Sequence, residues 1–184
     1  MILYALCDAQ MLQKRGVTLE AFVAIAAQKG AQIIQYRDKV GDDASVSQAL
    51  QKLRLLWDKT LLINDRIALA SLCDGVHIGQ EDLAALHSDP KTAIAQLRQT
   101  YQPKMIGLST HNSREISIAN GLAIDYIGLG AYRDTSTKAD AKVLGDALDT
   151  LASQSRHPVA AIGGVRLEDR FAHVTYWVIG SNLL

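Results

Sequence analysis

The chain has 184 residues, with 19 basic and 19 acidic side chains and a formal net charge of zero. Balanced charge argues against a nucleic-acid or membrane-surface binder, which would carry a basic face. An apolar content of 48% with 21% charged residues is too apolar for a disordered chain. No apolar run approaches the roughly 18 residues of a membrane span, and the opening MILYALCDAQ lacks the basic flank of a signal peptide. The expectation is a soluble, cytoplasmic, single domain over residues 1–184, with no nucleic-acid and no membrane partner.

Taken in chain order, short apolar runs predict strands at 2–6, 31–35, 60–63, 75–78, 104–108, 124–128, 158–162 and 175–179. Helix-period segments fall between them at 19–28, 46–58, 67–72, 91–101, 113–120 and 140–155. In the second of these, Val46, Leu50 and Leu53 recur at spacings of four and three, which marks one buried face. The strands are continuous apolar runs, as expected for a parallel sheet covered on both faces. Alternating β and α units with eight strands predict an α/β (β/α)8 TIM barrel, with an open doubly wound sheet as the alternative. Past the seventh strand only 166–173 remains for a helix, and the sequence stops just after the eighth. The barrel is therefore expected to be shortened at its C-terminus, with its final helix missing. The eighth strand would then expose apolar surface, which a homodimer would cover. Cys7 and Cys73 lie far apart in apolar stretches, outside any C-x-x-C pair, and read as small buried hydrophobes.

Polar residues collect where strands end, which is where barrel enzymes build their active sites. Alternation along the second strand aims Gln35, Arg37 and Lys39 the same way, so two cations and an amide can converge on one anion, unless they form a solvated charged edge. The third strand ends in Asn64-Asp65-Arg66, where Asp65 is either a helix cap or a metal-site carboxylate. Asp65 with Glu81 or Asp82 would suit a magnesium ion bridging to a substrate phosphate. His77 reads as a packed core histidine. Ser109-Thr110-His111-Asn112 follows the fifth strand, and Thr135-Ser136-Thr137-Lys138 follows the sixth. Gly163-Gly164 and Gly180-Ser181 follow the last two strands, where backbone N–H groups can approach a phosphate. Neither a complete dinucleotide fingerprint, a P-loop nor a G-x-S-x-G elbow is present.

The segments Gln35-Tyr36-Arg37-Asp38-Lys39, Ile63-Asn64-Asp65-Arg66, the run Asp74 to Asp82, Gly107 to His111, Asp125 to Gly130, Thr135 to Lys138 and Ile162 to Val165 together resemble the thiamine phosphate synthase family. The resemblance implies a transferase of thiamine biosynthesis. It would join 4-amino-2-methyl-5-(diphosphooxymethyl)pyrimidine to a thiazole phosphate, giving thiamine phosphate and pyrophosphate. By the same resemblance Gln35, Arg37, Lys39, Asn64, Ser109 and Lys138 would hold the pyrimidine diphosphate, and Arg37, Lys39 and Lys138 would act on the leaving group. Asp65 and Asp82 would bind Mg2+, and Thr135, Thr137, Gly164, Gly180 and Ser181 would face the thiazole phosphate. Ala131-Tyr132-Arg133-Asp134 stands where the family has a proline-containing stretch. That departure and the compressed connection before the last strand keep two alternatives open: a non-catalytic paralog binding one of the phosphorylated substrates, and a thiazole tautomerase.

Overall fold

A computed structural model describes residues 1–134 and 143–184. Eight parallel strands close into a barrel in sequence order. They are β1 (Ile2–Asp8), β2 (Ile33–Arg37), β3 (Thr60–Asn64), β4 (Gly75–Ile78), β5 (Met105–Thr110), β6 (Tyr126–Leu129), β7 (Val159–Ala161) and β8 (Tyr176–Ile179). Closure runs from β8 back to β1, with Tyr4 beside Val178 and Ala5 beside Ile179. All eight expected strands form. The helices are α1 (Ala9–Arg15), α2 (Leu19–Gln28), α3 (Asp43–Leu56), α4 (Gln80–Leu86), α5 (Pro90–Tyr101), α6 (Ser113–Ala119) and α7 (Ala147–Ala152), with 3-10 turns at Ile67–Leu72 and Ser181–Leu183.

Local chemistry sets the helix starts. Asp8, Thr18, Asp42, Asp89 and Asn112 each accept a backbone N–H three residues on, at the head of α1, α2, α3, α5 and α6. Sequence periodicity misses α1 and α4, which begin within two residues of the end of the strand before them and so read as part of its polar end. The helix expected over 140–155 forms at Ala147–Ala152, with a turn at 145–146 ahead of it and 140–142 outside the described residues.

The core has two layers. Between strands and helices lie Phe22, Leu50, Leu53, Leu97 and Ile116, all buried. Inside the barrel lie Tyr4, Leu6, Ile33, Leu62, Tyr126, Ala160 and Val178. Large rings fit in so narrow an interior because glycines face them. A Cβ on Gly107 would come within 2.1 Å of the Tyr126 ring, and one on Gly128 within 2.8 Å of His77 Cε1.

At the N-terminal end of the barrel two aspartates repeat one device. Asp74 accepts from Arg54 Nη2 at 2.7 Å and Leu61 N at 2.9 Å. Asp125 accepts from Arg98 Nη2 at 2.7 Å and Ile106 N at 2.6 Å. Each carboxylate ties a helix to the strand before its own. Two of the motif residues that carried the family resemblance are thus fold staples, set at the end of the barrel opposite the chemistry.

No helix forms between β7 and β8, and β8 leads into a 3-10 turn. The expected exposure of β8 does not follow. Trp177 is 4% exposed, its indole donating to Asp169 O at 3.2 Å and packing at 5.4 Å from the Phe171 ring, which packs in turn on Tyr132. The connecting loop does the covering that a helix would do, and it removes the reason for expecting a dimer at this face. Cys7 is buried, whereas Cys73 is only half-buried, and both are free thiols. Among the described residues no helix is long and apolar enough to cross a membrane.

Because the loop seals β8 through this one indole, Trp177→Ala is expected to cost about 3–5 kcal/mol of folding stability. Urea denaturation measures it, and a loss under 1 kcal/mol would show the face to be solvated already.

Candidate active site

A cavity of about 480 Å3 opens at the C-terminal ends of the strands. Ten of the thirteen residues expected at the site line it: Gln35, Arg37, Lys39, Asn64, Asp65, Asp82, Ser109, Gly164, Gly180 and Ser181. The other three, Thr135, Thr137 and Lys138, lie outside the described residues.

On the β2 side, Gln35 is only 3% exposed, and its Nε2 has no hydrogen-bond partner among the described residues. A buried donor without a partner costs roughly 1–3 kcal/mol, so it is held in wait for an acceptor. Arg37 closes the strand and pairs with Asp8, the same carboxylate that caps α1. Lys39 sits two residues further on and pairs with Asp65. Arg66 fastens the β2 loop by donating to the Asp38 and Gly41 carbonyls and pairing with Asp43. The loop carrying Lys39 is therefore fixed from below. Sequence inspection finds the cations but not their carboxylate partners, because Asp8 lies on a different strand from Arg37.

Asp65 does not cap a helix: the 3-10 turn that follows begins after Arg66 with no side-chain cap. Its φ of 62° places a non-glycine residue in the left-handed region, a conformation that commonly marks functional loops. Glu81 and Asp82 both line the cavity, and it is the Asp82 carboxyl on which the Asp65 carboxylate acts. Asp82 is the third residue of α4, its Oδ2 accepts from Gly79 N at 2.8 Å, and its carboxyl is close enough to Asp65 for the two to interact electrostatically. Burial pushes the Asp82 carboxyl above the usual carboxylate range, and the adjacent Asp65 carboxylate pushes it further. Among the described residues no group of three or more His, Cys, Asp and Glu side chains is arranged to hold a metal.

On the opposite wall, Gly163 and Gly164 follow β7 and line the cavity with φ of 89° and 67°, a conformation that L side chains rarely adopt. A Cβ on Gly163 would sit 2.6 Å from Ala131 Cβ, and one on Gly164 2.7 Å from Arg133 Cβ. Arg133 holds this turn. It donates to Gly164 O at 2.8 Å and to both oxygens of Asp169 at 2.7 and 2.6 Å, and it stacks at 4.3 Å on the Tyr132 ring. The two arginine donors hold the Asp169 carboxyl below the usual carboxylate range. Arg133 lies in the segment that departs from the family pattern, and here that departure is the clamp for the glycine turn. From α1, Arg15 donates to Ser181 O at 2.9 Å and steadies the end of β8.

The floor of the cavity holds His77, which the sequence presents as core packing. It is buried, but it also lines the cavity, with Nε2 2.9 Å from Ser109 Oγ and Nδ1 2.8 Å from Tyr126 Oη. Glycines at 107 and 128, spaced to leave room for two rings, are the sequence signal that could have revealed it.

A closed (β/α)8 barrel whose strand C-termini converge cations, a carboxylate pair and a glycine turn on one cavity defines an enzyme acting on phosphorylated small molecules. The family model described as thiamine monophosphate synthase matches residues 3–175, and the chain belongs to that family. It is 35% identical over 169 residues to a thiamine-phosphate synthase of Persephonella marina, covering 89% of this chain and 76% of that one. It is 36% identical over 172 residues to a probable thiamine biosynthetic bifunctional enzyme of rice, covering 90% of this chain but only 30% of that longer protein. The fold matches a thiamine phosphate pyrophosphorylase from Pyrococcus furiosus with a TM-score of 0.78 at 25% identity, over 98% of this chain and 85% of that one.

The Asp82 environment has a testable sign. Its raised value means that the folded chain holds this proton more tightly than the unfolded chain, so an ionised Asp82 opposes folding as pH rises above the unfolded value of about 3.9. In chelator, Asp82→Asn is expected to be more stable than the parent at pH 7, with the difference closing toward pH 4. Thermal melts at the two pH values check it, and a gap that widens on acidification would reverse the assignment.

Proposed function

We propose that this chain is a thiamine phosphate synthase that binds the pyrimidine diphosphate on the β2–β5 side of the cavity and the thiazole phosphate at the β7–β8 side. The observation that carries the reading is the Asp65–Asp82 carboxylate pair with Lys39 against it at the mouth. A diphosphate leaving with a divalent cation needs carboxylates for the metal beside a cation for the phosphate oxygens, and a structural ion pair needs only one carboxylate.

The donor set fits Mg2+, a hard cation that takes one or two protein carboxylates and fills its shell with substrate and water oxygens. Asp65 and Asp82 would hold it, and two carboxylates crowded together gain from any cation that separates them. When bound, the ion would neutralise charge on the diphosphate oxygens.

In the reaction, the bond between the pyrimidine methylene carbon and the diphosphate oxygen breaks, and its electron pair leaves with the diphosphate. The thiazole ring nitrogen then donates its lone pair to that carbon. Arg37 and Lys39 stabilise the negative charge gathering on the departing diphosphate, because fixed charges in a half-buried cavity need no reorganisation as the bond opens. Both are already oriented by Asp8 and Asp65. Gln35 supplies the unpartnered Nε2 donor to a pyrimidine or diphosphate acceptor, and Asn64 and Ser109 add neighbouring polar contacts. Across the cavity the Gly163-Gly164 turn offers backbone donors to the thiazole phosphate, and Gly180 and Ser181 border the same corner. Thr135 and Thr137 are assigned to the thiazole, and Lys138 to the diphosphate, on the family resemblance alone. Holding both substrates in line contributes through proximity, and no protein nucleophile takes part.

Purified protein given both substrates and magnesium is expected to release pyrophosphate and form thiamine phosphate in equal amounts, as read by chromatography. Gln35→Met, which keeps volume but removes the donor, should lower kcat/KM by about 10–100-fold. Retained binding of the pyrimidine diphosphate with no product would favour a non-catalytic paralog.

Asp65→Asn and Asp82→Asn should each raise the magnesium concentration needed for half-maximal rate by at least tenfold, the loss expected when one of two ligands is weakened. An unchanged magnesium requirement in either variant would remove that residue from the metal site.

A further inference from the structure

Beneath the cavity a line of buried hydrogen bonds runs through the barrel interior. Tyr4 Oη lies 2.9 Å from Tyr126 Oη, Tyr126 Oη 2.8 Å from His77 Nδ1, and His77 Nε2 2.9 Å from Ser109 Oγ. Tyr4 and Tyr126 are 1% and 0% exposed, and Ser109 alone of the four side chains is half-buried at the cavity wall. The Tyr176 ring packs edge-on against both tyrosines, at 6.4 and 5.8 Å.

We infer that Tyr126 is a positioning residue: its hydroxyl fixes His77 as the tautomer protonated on Nε2, and so turns the Ser109 hydroxyl proton toward the substrate. The direction follows from the closed end of the line. Among the described residues, Tyr126 is the one hydrogen-bond partner of Tyr4 Oη. A buried hydroxyl proton with no acceptor is costly, whereas an oxygen with a spare lone pair is cheap, so Tyr4 donates to Tyr126. Tyr126, already accepting from Tyr4, sends its own proton to His77 Nδ1. A neutral imidazole that accepts at Nδ1 carries its proton on Nε2 and donates it to Ser109 Oγ. Ser109 therefore accepts from within the barrel, and its own O–H is left to donate into the cavity. The reverse order would leave the Tyr4 proton buried without an acceptor.

The arrangement is held rigidly. The Tyr126 ring lies over Gly107 and the His77 ring over Gly128, where any side chain would displace them. Gln80 Nε2 donates to Ser109 O at 2.6 Å and fixes the backbone that carries the hydroxyl. A serine committed as donor favours an anion or a ring nitrogen over a competing donor. It thereby selects for the diphosphate or the pyrimidine acceptor of the first substrate, and this consequence rests on the functional reading proposed above.

Two measurements test the inference separately. In the 15N-labelled full chain, a long-range 1H–15N spectrum at neutral pH should show His77 protonated on Nε2 and unprotonated on Nδ1. A proton on Nδ1, or an imidazolium, would overturn the relay. This readout needs no substrate, so it stands whether or not the protein forms thiamine phosphate.

The second compares two variants that each delete one buried hydroxyl. Tyr126→Phe breaks the contact with His77 and should raise KM for the pyrimidine diphosphate about tenfold, the loss of one hydrogen bond to a charged or ring acceptor. KM for the thiazole phosphate should stay within about twofold. Tyr4→Phe leaves the Tyr126–His77 bond in place and should move neither constant by more than about twofold. In a Ser109→Ala background, Tyr126→Phe should add no further loss. Equal kinetic effects from the two phenylalanine variants would show that the hydroxyls serve packing alone and overturn the proposal. If Tyr126→Phe does not fold, the tautomer in the unmodified chain decides.

Discussion

The interior of an eight-stranded barrel is narrow, and everything inside it must be filled and every polar atom there satisfied by a neighbour. This chain fills that space with rings set among the branched aliphatics Leu6, Ile33, Leu62 and Val178: Tyr4, Tyr126 and His77, with Tyr176 packed against the tyrosines. The rings demand glycines opposite them, at 107 and 128, and their polar atoms demand one another. Burial pushes both tyrosine hydroxyls far above their ordinary value, so they remain protonated donors at any physiological pH. A packing requirement at the bottom of the barrel thus becomes an ordered line of hydrogen bonds ending at Ser109, on the wall of the cavity.

The same economy governs the charges at the mouth. Arg37 is paired with Asp8, Lys39 with Asp65 and Arg133 with Asp169, each partner coming from a different strand or loop. A cation held by one carboxylate keeps its remaining donors free and correctly aimed, at less conformational cost than an unanchored side chain would pay on binding. Zero net charge therefore describes a set of paired groups around one cavity, not an absence of electrostatic character. Asp82 is the exception, a carboxylate pressed against another carboxylate, and this is the place where an added cation would relieve the most repulsion.

Between β7 and β8 the loop replaces what a helix does elsewhere in the barrel. Phe171 and Tyr132 seal Trp177, while Asp169 takes Arg133 on its side chain and the indole on its carbonyl. Arg133 therefore couples the cover of β8 to the shape of the Gly163-Gly164 turn. The sequence departure at 131–134 and the short β7–β8 connection are two halves of one contact.

All eight strands, and hence the barrel, were legible from runs such as Ile2–Leu6 and Gly75–Ile78, because strands covered on both faces are apolar at every position. Most of the cavity lining was legible too, since Gln35, Arg37, Asn64, Asp65 and Ser109 sit where apolar runs break off. The short helices α1 and α4 were not, because they begin within two residues of the strand before them, and Asp82 consequently read as part of a strand end instead of a helix N-terminus. What the sequence determined alone was the order of strands and the kinds of groups at their ends, both properties of local pattern. Which carboxylate meets which cation, that His77 faces Tyr126 and Ser109, and that Arg133 covers for a helix were decided only by barrel closure. That closure brings together residues as far apart in the chain as Tyr4 and Val178, whose contact no local pattern encodes.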